Sequence, residues 1–192
     1  MEILAYDLSA FGLDLYRQLR ASEGNLFLSP FGISAALAMV QAGARGDTEQ
    51  QMARALRHSL PPERLHPAFA ELESGLAKLQ TGRHIKLSTA NSLWPQQGYP
   101  ILDSYSSLIQ RHYGVSVTPL DYRNAAEAAR KIINQWVEKR TDHKIKDVIQ
   151  PGILGALTRL VIVNAIYFRG EWASKFEALS LIHISEPTRQ AE

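Results

Sequence analysis

Apolar residues recur at steps of three and four along much of the chain, and this spacing places them on one face of a helix. The clearest run, from Leu4 through Leu8 and Phe11 to Leu19, predicts a first helix that ends near Gly24. The other runs have the same spacing and stop at glycine, proline or polar residues. Together they predict helices over residues 4–23, 30–45, 47–57, 62–79, 102–113 and 124–141.

The second of these helices is crowded with small residues. It is predicted to begin after Ser29, because Pro30 follows and proline is favoured in the first turn of a helix. Ile33, Leu37 and Val40 are predicted to form its buried stripe. The many alanines would let neighbouring backbone approach closely, so we expect this helix at the centre of the fold.

Short apolar segments predict strands over residues 25–30, 85–94, 115–120 and 160–168. The last is rich in β-branched and aromatic residues on both faces. A strand of this kind is expected in the middle of a sheet that is covered on both sides. Helices and strands are therefore mixed, without an internal repeat.

Asn164 lies inside that apolar strand. An amide at such a place costs on the order of 1 to 3 kcal/mol unless it is hydrogen-bonded, so Asn164 is expected to have partners. Two interpretations stay open. It is either a plain satisfied core amide or a polar latch that holds two strands together and can be reopened.

The helix predicted over residues 124–141 is amphipathic. Ala129, Ile132, Ile133, Trp136 and Val137 are predicted to face inward. Its charged residues occupy the opposite face, which is expected to be in water.

Composition narrows the function classes. The 192 residues, 45% hydrophobic and 21% charged, exclude a disordered chain and allow one domain or two. The 21 basic and 19 acidic residues are scattered, so no nucleic-acid partner is expected. The absence of cysteine excludes disulfides, a thiolate nucleophile and cysteine-based metal sites. A polyanion-binding face is the alternative to a solvated mixed-charge surface for Arg54, Arg57, Arg64, Lys78, Arg83 and Lys86.

No membrane partner is expected either. The longest apolar run, residues 160–168, is about half the length that a membrane-spanning helix needs. The N-terminus lacks the basic and apolar regions of a signal peptide.

Catalytic and metal chemistry finds little support. Ser34 follows Gly32 as in a nucleophile elbow, but Ala36 stands where that motif needs glycine, so core packing is favoured over a hydrolase. The six histidines are never three or four residues apart, so no two share a helical face as metal ligands. Each is expected at the surface or in an interface. We predict no catalytic residue, no metal and no cofactor.

Three blocks of sequence resemble the serpins, a family of serine protease inhibitors, and bacterial serpins most of all. The blocks keep the order and spacing of the family over about residues 11–176. The matching residues include Asn25, Ser29, Pro30, Gly43, Gly46 and Thr48 in the first block, Asn134, Trp136 and Thr141 in the second, and Asn164, Phe168, Gly170, Trp172 and Phe176 in the third.

The resemblance implies an α+β serpin fold, with helices packed on a large mixed β-sheet and the second half of the fold missing. It assigns Ser29, Pro30 and Asn164 to the shutter, where a strand and the following helix underlie the main sheet. Serpins usually carry serine where this chain has Gly32, so one shutter hydroxyl is absent. Trp172 matches the tryptophan of the breach, near the top of the same sheet.

The function that the resemblance implies is suicide inhibition of a serine protease, or of a cysteine protease, by insertion of a reactive-centre loop next to the strand at 160–168. That loop lies beyond this chain, so we expect the chain itself to be an inactive, aggregation-prone fragment of a monomeric parent. A non-inhibitory binding or carrier module on the same scaffold is the alternative. An extracellular location is also implied by the resemblance.

The last residues do not continue the family pattern. Residues 179–192 read like translated adaptor or vector sequence. We therefore expect a serpin portion over residues 1–178 and a tail over residues 179–192 that does not belong to it.

Overall fold

The structure, a computed structural model, describes residues 2–78 and 85–171. The helices have their expected order and nearly their expected bounds. In chain order the elements are α1 (Glu2–Leu19), α2 (Pro30–Gly43), α3 (Asp47–Ala55), α4 (Pro62–Lys78), β1 (Ile85–Pro95), α5 (Asp103–Tyr113), α6 (Ala126–Arg140) and β2 (Leu160–Gly170).

Helix α2 is the centre of the helical half, as its alanines predicted. It packs against α1, α3, α4, α5 and β2. The predicted buried stripe is wrong for Leu37, which is 37% exposed, and Ile33 and Val40 are half-buried, while the buried face carries Ala35, Ala38 and Met39. Small side chains allow several elements to approach this face closely, whereas Ile33, Leu37 and Val40 turn partly outward. The surrounding core consists of Leu4, Leu65, Ala68, Phe69, Leu93, Ile109, Tyr113 and Val115.

Strands β1 and β2 form an antiparallel pair that runs in register from Ile85 opposite Gly170 to Pro95 opposite Leu160. Helix α2 lies on one face of this pair. On the other face, α6 closes a second core of Ala90, Trp94, Tyr122, Ala129, Ile133, Val137, Val163 and Ala165. The prediction that this segment is covered on both faces is therefore confirmed for residues 161–167, whereas Leu160 and Phe168 at its ends are exposed.

The position of β2 within the sheet differs from the prediction. In the described part of the chain the sheet has two strands, and β2 is bonded along one edge, to β1. Two other predicted strands are also absent from the sheet. Residues 25–29 pair with no strand in the described ranges, and residues 115–120 make isolated parallel bridges from Val117 to Leu93 and from Leu120 to Gln96. A β-branched or aromatic pattern predicts extended backbone, but a strand also needs a neighbour.

Helix α6 is rotated slightly from its predicted orientation. Ile132 is 45% exposed, whereas the polar residues Arg130 and Asn134 are buried. Both polar side chains donate to the carbonyl of Ile149, at 2.9 Å each. The chain after the helix therefore folds back over α6. The two buried side chains supply the hydrogen-bond donors for the backbone carbonyl of Ile149.

None of the helices in the described ranges is long and apolar enough to cross a membrane.

Candidate functional site

The candidate site lies where the first turn of α2 meets β2. The hydroxyl of Ser29 caps the helix by accepting from the backbone N–H of Gly32 at 3.2 Å. Pro30 occupies the first helical position and packs so closely on α1 that a Cβ at Gly12 would lie 3.0 Å from its Cγ. The serine cap and the proline together determine where α2 begins and where Gly32 lies beneath the sheet.

Gly32 is pressed against β2. A Cβ built on Gly32 would lie 2.2 Å from Asn164 Oδ1 and 2.8 Å from Ile166 Cδ1. A side chain here would fit only if Asn164 and Ile166 moved, so the backbone of α2 packs directly against these two side chains where serpins usually carry the serine hydroxyl. The sequence predicted that glycine at position 32 removes a hydroxyl from the shutter, but it did not predict this close packing.

Asn164 finds its partner on the neighbouring strand. Its Nδ2 donates to Asn91 Oδ1 at 2.7 Å, and the two asparagines face each other in the β1–β2 register. Asn91 was not predicted as a site residue, although an amide in each of two neighbouring apolar strands was a usable signal. The bond joins β1 to β2, and through Gly32 the same amide lies against α2.

The other edge of β2 completes the site. Among residues 2–78 and 85–171, no backbone hydrogen bond other than those to β1 is made by the strand. An extended segment could therefore add to this edge, and backbone N–H and C=O groups of β2 would supply its ladder. The Asn91–Asn164 bond is well placed to hold β2 while such a segment binds.

A second polar cluster ties the segment after α6 back to that helix. The side chain of Asn134 donates to the Ile149 carbonyl and accepts from the Ile149 N–H, at 2.9 and 3.0 Å. The hydroxyl of Thr141 donates to Val137 O at 2.9 Å and accepts from the N–H of Ile145 at 3.1 Å. The segment 142–149 and α6 are thus joined at two points, which favours movement of the two as one unit.

Arg130 strengthens this cluster. It forms a two-pronged contact with Glu127, at 2.8 and 2.9 Å, and it also lies 3.8 Å from Asp147. The contact with Arg130 lowers the pKa of the Glu127 carboxyl. The sequence places both residues on the water-facing side of the helix, which is wrong for Arg130 because its side chain is buried.

The remaining family-matching residues have structural surroundings of different kinds. Gly46 precedes the first residue of α3 and has a φ of +60°, a conformation that favours glycine. A Cβ at Gly43 would touch the ring of Tyr105 at 3.4 Å. Trp136 packs edge-on against Trp94, with ring centres 5.9 Å apart. Asn25, Thr48, Phe168 and Gly170 are exposed.

The predicted breach residue Trp172, Phe176 and the tail 179–192 lie outside the described residues. Their assignments stay predictions.

Ser34 is fully buried in the helical core, which argues against a hydrolase because no substrate could reach its hydroxyl. The hydroxyl lies 2.9 Å from His58 Nε2, and His58 Nδ1 lies 2.7 Å from Gln41 Oε1. The expectation of surface histidines is wrong for His58 and also for His66, which is buried beside the Tyr113 hydroxyl at 2.8 Å. Spacing along one helix does not reveal histidines that other elements cover.

Metal and polyanion sites gain no support from the geometry. In the described ranges no group of three or more His, Cys, Asp or Glu side chains could hold a metal ion. Two of the six basic residues of the polyanion alternative are paired with carboxylates, Arg57 with Asp14 at 2.7 Å and Lys86 with Asp142 at 3.0 Å. These pairs favour the mixed-charge surface.

Comparisons with known proteins agree with this architecture. The family model of the serpins (serine protease inhibitors) matches residues 7–181. The pig (Sus scrofa) protein "Leukocyte elastase inhibitor" is 41% identical over 178 residues, which are 92% of this chain and 46% of that protein. An uncharacterized serpin-like protein of Thermococcus kodakarensis is 40% identical over 89% of this chain and 39% of its own length.

Solved structures match as well. Emu (Dromaius novaehollandiae) ovalbumin superposes with a TM-score of 0.82 at 30% identity, over 90% of this chain and 48% of that one. A cleaved serpin described as "Serpin 42Da" superposes with a TM-score of 0.79 over 91% of this chain and 46% of its own. The chain therefore spans about half the length of the relatives it matches.

These relatives do not confirm two of the expectations, the extracellular location and the likeness to bacterial serpins. Their names do not support the extracellular location, and those reported above include no bacterial protein, so the bacterial likeness stays a prediction. The family match reaches residue 181, and the predicted division at residue 178 likewise stays a prediction. The blocks of matching sequence, the family model and the superpositions agree on the main point, that this chain belongs to the serpin family and covers the N-terminal part of its fold.

Proposed function

We propose that the full-length protein, whose N-terminal part this chain supplies, inhibits a serine protease by inserting its cleaved reactive-centre loop along the open edge of β2. The observation that carries the proposal is the one-sided pairing of β2. The strand is bonded to β1 over eleven residues, its two faces are covered by α2 and α6, and its second edge is unpaired within the described residues. Serpin membership supports inhibition as the activity.

The chemistry begins on the protease. Its serine hydroxyl attacks a peptide bond of the loop, which releases the new amino terminus and leaves an ester between loop and enzyme. Insertion of the loop as a strand then drags the acylated protease along the sheet and distorts it before water can cleave the ester. This chain would contribute the acceptor edge, the backing helix α2 and the covering helix α6.

The driving force is strand addition. Each ladder hydrogen bond contributes about 1 kcal/mol net, and apolar side chains of the new strand would gain burial between the two helices. The Asn91–Asn164 bond keeps β1 and β2 paired during this change. The hydrogen bonds of Asn134 and Thr141 join α6 to residues 142–149, so the helix and this segment would shift together as the sheet widens.

The test compares the full reading frame, recovered from the source genome, with the 192-residue chain. Both are incubated with elastase-like, chymotrypsin-like and trypsin-like proteases, beginning with elastase because relatives carry the name leukocyte elastase inhibitor. We expect an SDS-stable complex for the full-length protein and none for the 192-residue chain. A protease whose serine is already blocked is the control.

Cleavage of the full-length loop without a stable complex, with every protease, would contradict the proposal and favour the non-inhibitory binding or carrier alternative. A stable complex with the 192-residue chain would contradict the assignment of the loop to the missing half. Self-association of the 192-residue chain through the edge of β2 stays a prediction that follows from its unpaired backbone.

A further inference from the structure

A buried polar network below the candidate site has no role in the proposed insertion. It consists of Ser34 and Gln41 on α2, His58 in the connection between α3 and α4, and the neighbouring pair Ser59 and Asp7. Ser34 and Gln41 are seven residues apart, so they lie on the same face of α2, two turns from each other. Both belong to the helix that places Gly32 against Asn164.

The protonation state of His58 follows from its partners. Gln41 Oε1 can only accept, so the Nδ1 of His58 carries a hydrogen and donates it across 2.7 Å. The other ring nitrogen, Nε2, then accepts from the Ser34 hydroxyl at 2.9 Å. The neutral ring therefore hydrogen-bonds two side chains of α2, the hydroxyl of Ser34 and the amide oxygen of Gln41.

The connection that carries His58 is itself anchored. The backbone N–H of Ser59 donates to Asp7 Oδ2 at 2.9 Å, and the Ser59 hydroxyl also donates to this carboxylate on α1. The His58 ring packs edge-on against Phe69 of α4, with ring centres 5.7 Å apart. His58 therefore links α2 to a point that α1 and α4 hold in place.

We propose that His58 is an acid-sensitive tether of α2, which holds the helix under β2 when the ring is neutral and releases it when the ring is protonated. Protonation would put a cation into a nearly dry interior and turn Nε2 into a donor toward Ser34. The charged groups around it only partly compensate. Asp7 on α1 favours the cation, His66 on α4 disfavours it, and the adjacent Arg57 is already paired with Asp14.

The direction of the pH effect follows from burial. Burial lowers the pKa of His58 to about 4, the charge of Asp7 opposes this shift, and His66 adds to it. In an open or unfolded chain the pKa returns to its ordinary value near 6.5. The contribution of the tether is therefore complete above pH 6.5 and is lost as the pH falls from 6.5 toward 4.

The experiment measures amide hydrogen exchange of α2 in the 192-residue chain at pH 7 and pH 5, divided by the intrinsic exchange rate at each pH. We expect α2 to open about 20-fold more often at pH 5, from the linkage of one histidine with these two pKa values. In His58→Gln the amide can still accept from Ser34 and donate to Gln41 but cannot titrate, so most of that increase should disappear.

Two further variants separate the tether from other histidines. His143→Gln removes an exposed imidazole and should leave the 20-fold change intact. His66→Gln removes the other buried histidine, and the increase in α2 exchange should survive it. An equal pH dependence in wild type and His58→Gln would overturn the proposal.

The wild-type chain gives an independent reading if His58→Gln fails to fold. The ¹³C-labelled imidazole of His58 is titrated by NMR. A pKa well below 6 supports the tether, and a value near 6.5 overturns it. Neither result depends on protease inhibition, so the tether and the proposed function can fail separately.

Discussion

β1 and β2 are equally long and pair residue for residue, yet their surroundings differ greatly. Leu93 and Trp94 of β1 are 1% and 6% exposed, whereas Leu160 and Phe168 of β2 are 38% and 64% exposed. The two strands also differ at their second edges. Residues after α5 donate to β1, from Thr118 to Leu93 O and from Leu120 to Pro95 O, while β2 has no such neighbour in the described ranges.

The comparison teaches that strand composition reflects the complete sheet. β2 carries a more apolar sequence than its exposure requires, so its side chains fit surroundings that the described residues do not provide. β1 already has those surroundings, and its apolar residues are buried accordingly. The same substitution made in each strand can test this difference.

The largest difference is expected for leucine truncation. Leu93→Ala should lower the free energy of unfolding by about 2–5 kcal/mol, because it opens a cavity in the helical core. Leu160→Ala, the same chemical change at the partly exposed start of β2, should cost less than about 1 kcal/mol. Urea unfolding of the 192-residue chain measures both. Equal losses would show that the two strands are equally well packed.

A middle-sized effect is expected where α2 touches β2. Gly32→Ala should destabilise by about 1–3 kcal/mol, since the new methyl group displaces Asn164 and Ile166. Gly75→Ala on α4 is the matched control, because nothing lies within 4 Å of its added Cβ. That variant should gain up to about 1 kcal/mol from helix propensity. If Gly32→Ala also stabilises the chain, the close contact with β2 is absent.

The smallest effect is expected for the amide pair that joins the strands. A double-mutant cycle with Asn91→Ala and Asn164→Ala should give a coupling energy of about 0.5–1.5 kcal/mol in urea unfolding. Asn91→Ala combined with Asn134→Ala is the control, since Asn134 lies on α6 beyond the opposite face of the sheet. Additive effects for the first pair would mean that Asn164 is not latched to Asn91.

Much of the architecture was predictable because it follows from local patterns. The helix start at Ser29 and Pro30, the end of α5 at Gly114 and the β1 and β2 segments all carry local signals, and the structure confirms them. The burial of Arg130 and Asn134 and the exposure of Leu37 and Ile132 were not predictable in this way. They depend on which neighbour covers each helix face.

The candidate site shows the same division. Asn164 was recognisable because an amide in an apolar strand needs a partner, and Gly32 because it departs from a family pattern. The sequence analysis missed Asn91 as that partner and His58 as the link to Ser34. Each forms its hydrogen bond with a residue far away in the chain, 73 positions for Asn91 and 24 positions for His58. Histidine spacing along single helices could not reveal a ring that is buried against α2 and α4.

The amino-acid sequence by itself determined where the helices and the two long strands form and to which family the chain belongs, because these depend on periodicity, capping residues and the order of short motifs. Only the tertiary structure decided which groups meet: Gly32 with β2, Asn91 with Asn164, and His58 with α2. Contacts between distant segments depend on register and on the rotation of each helix about its axis. Small energy differences summed over the whole core select both, and no local stretch of sequence contains them.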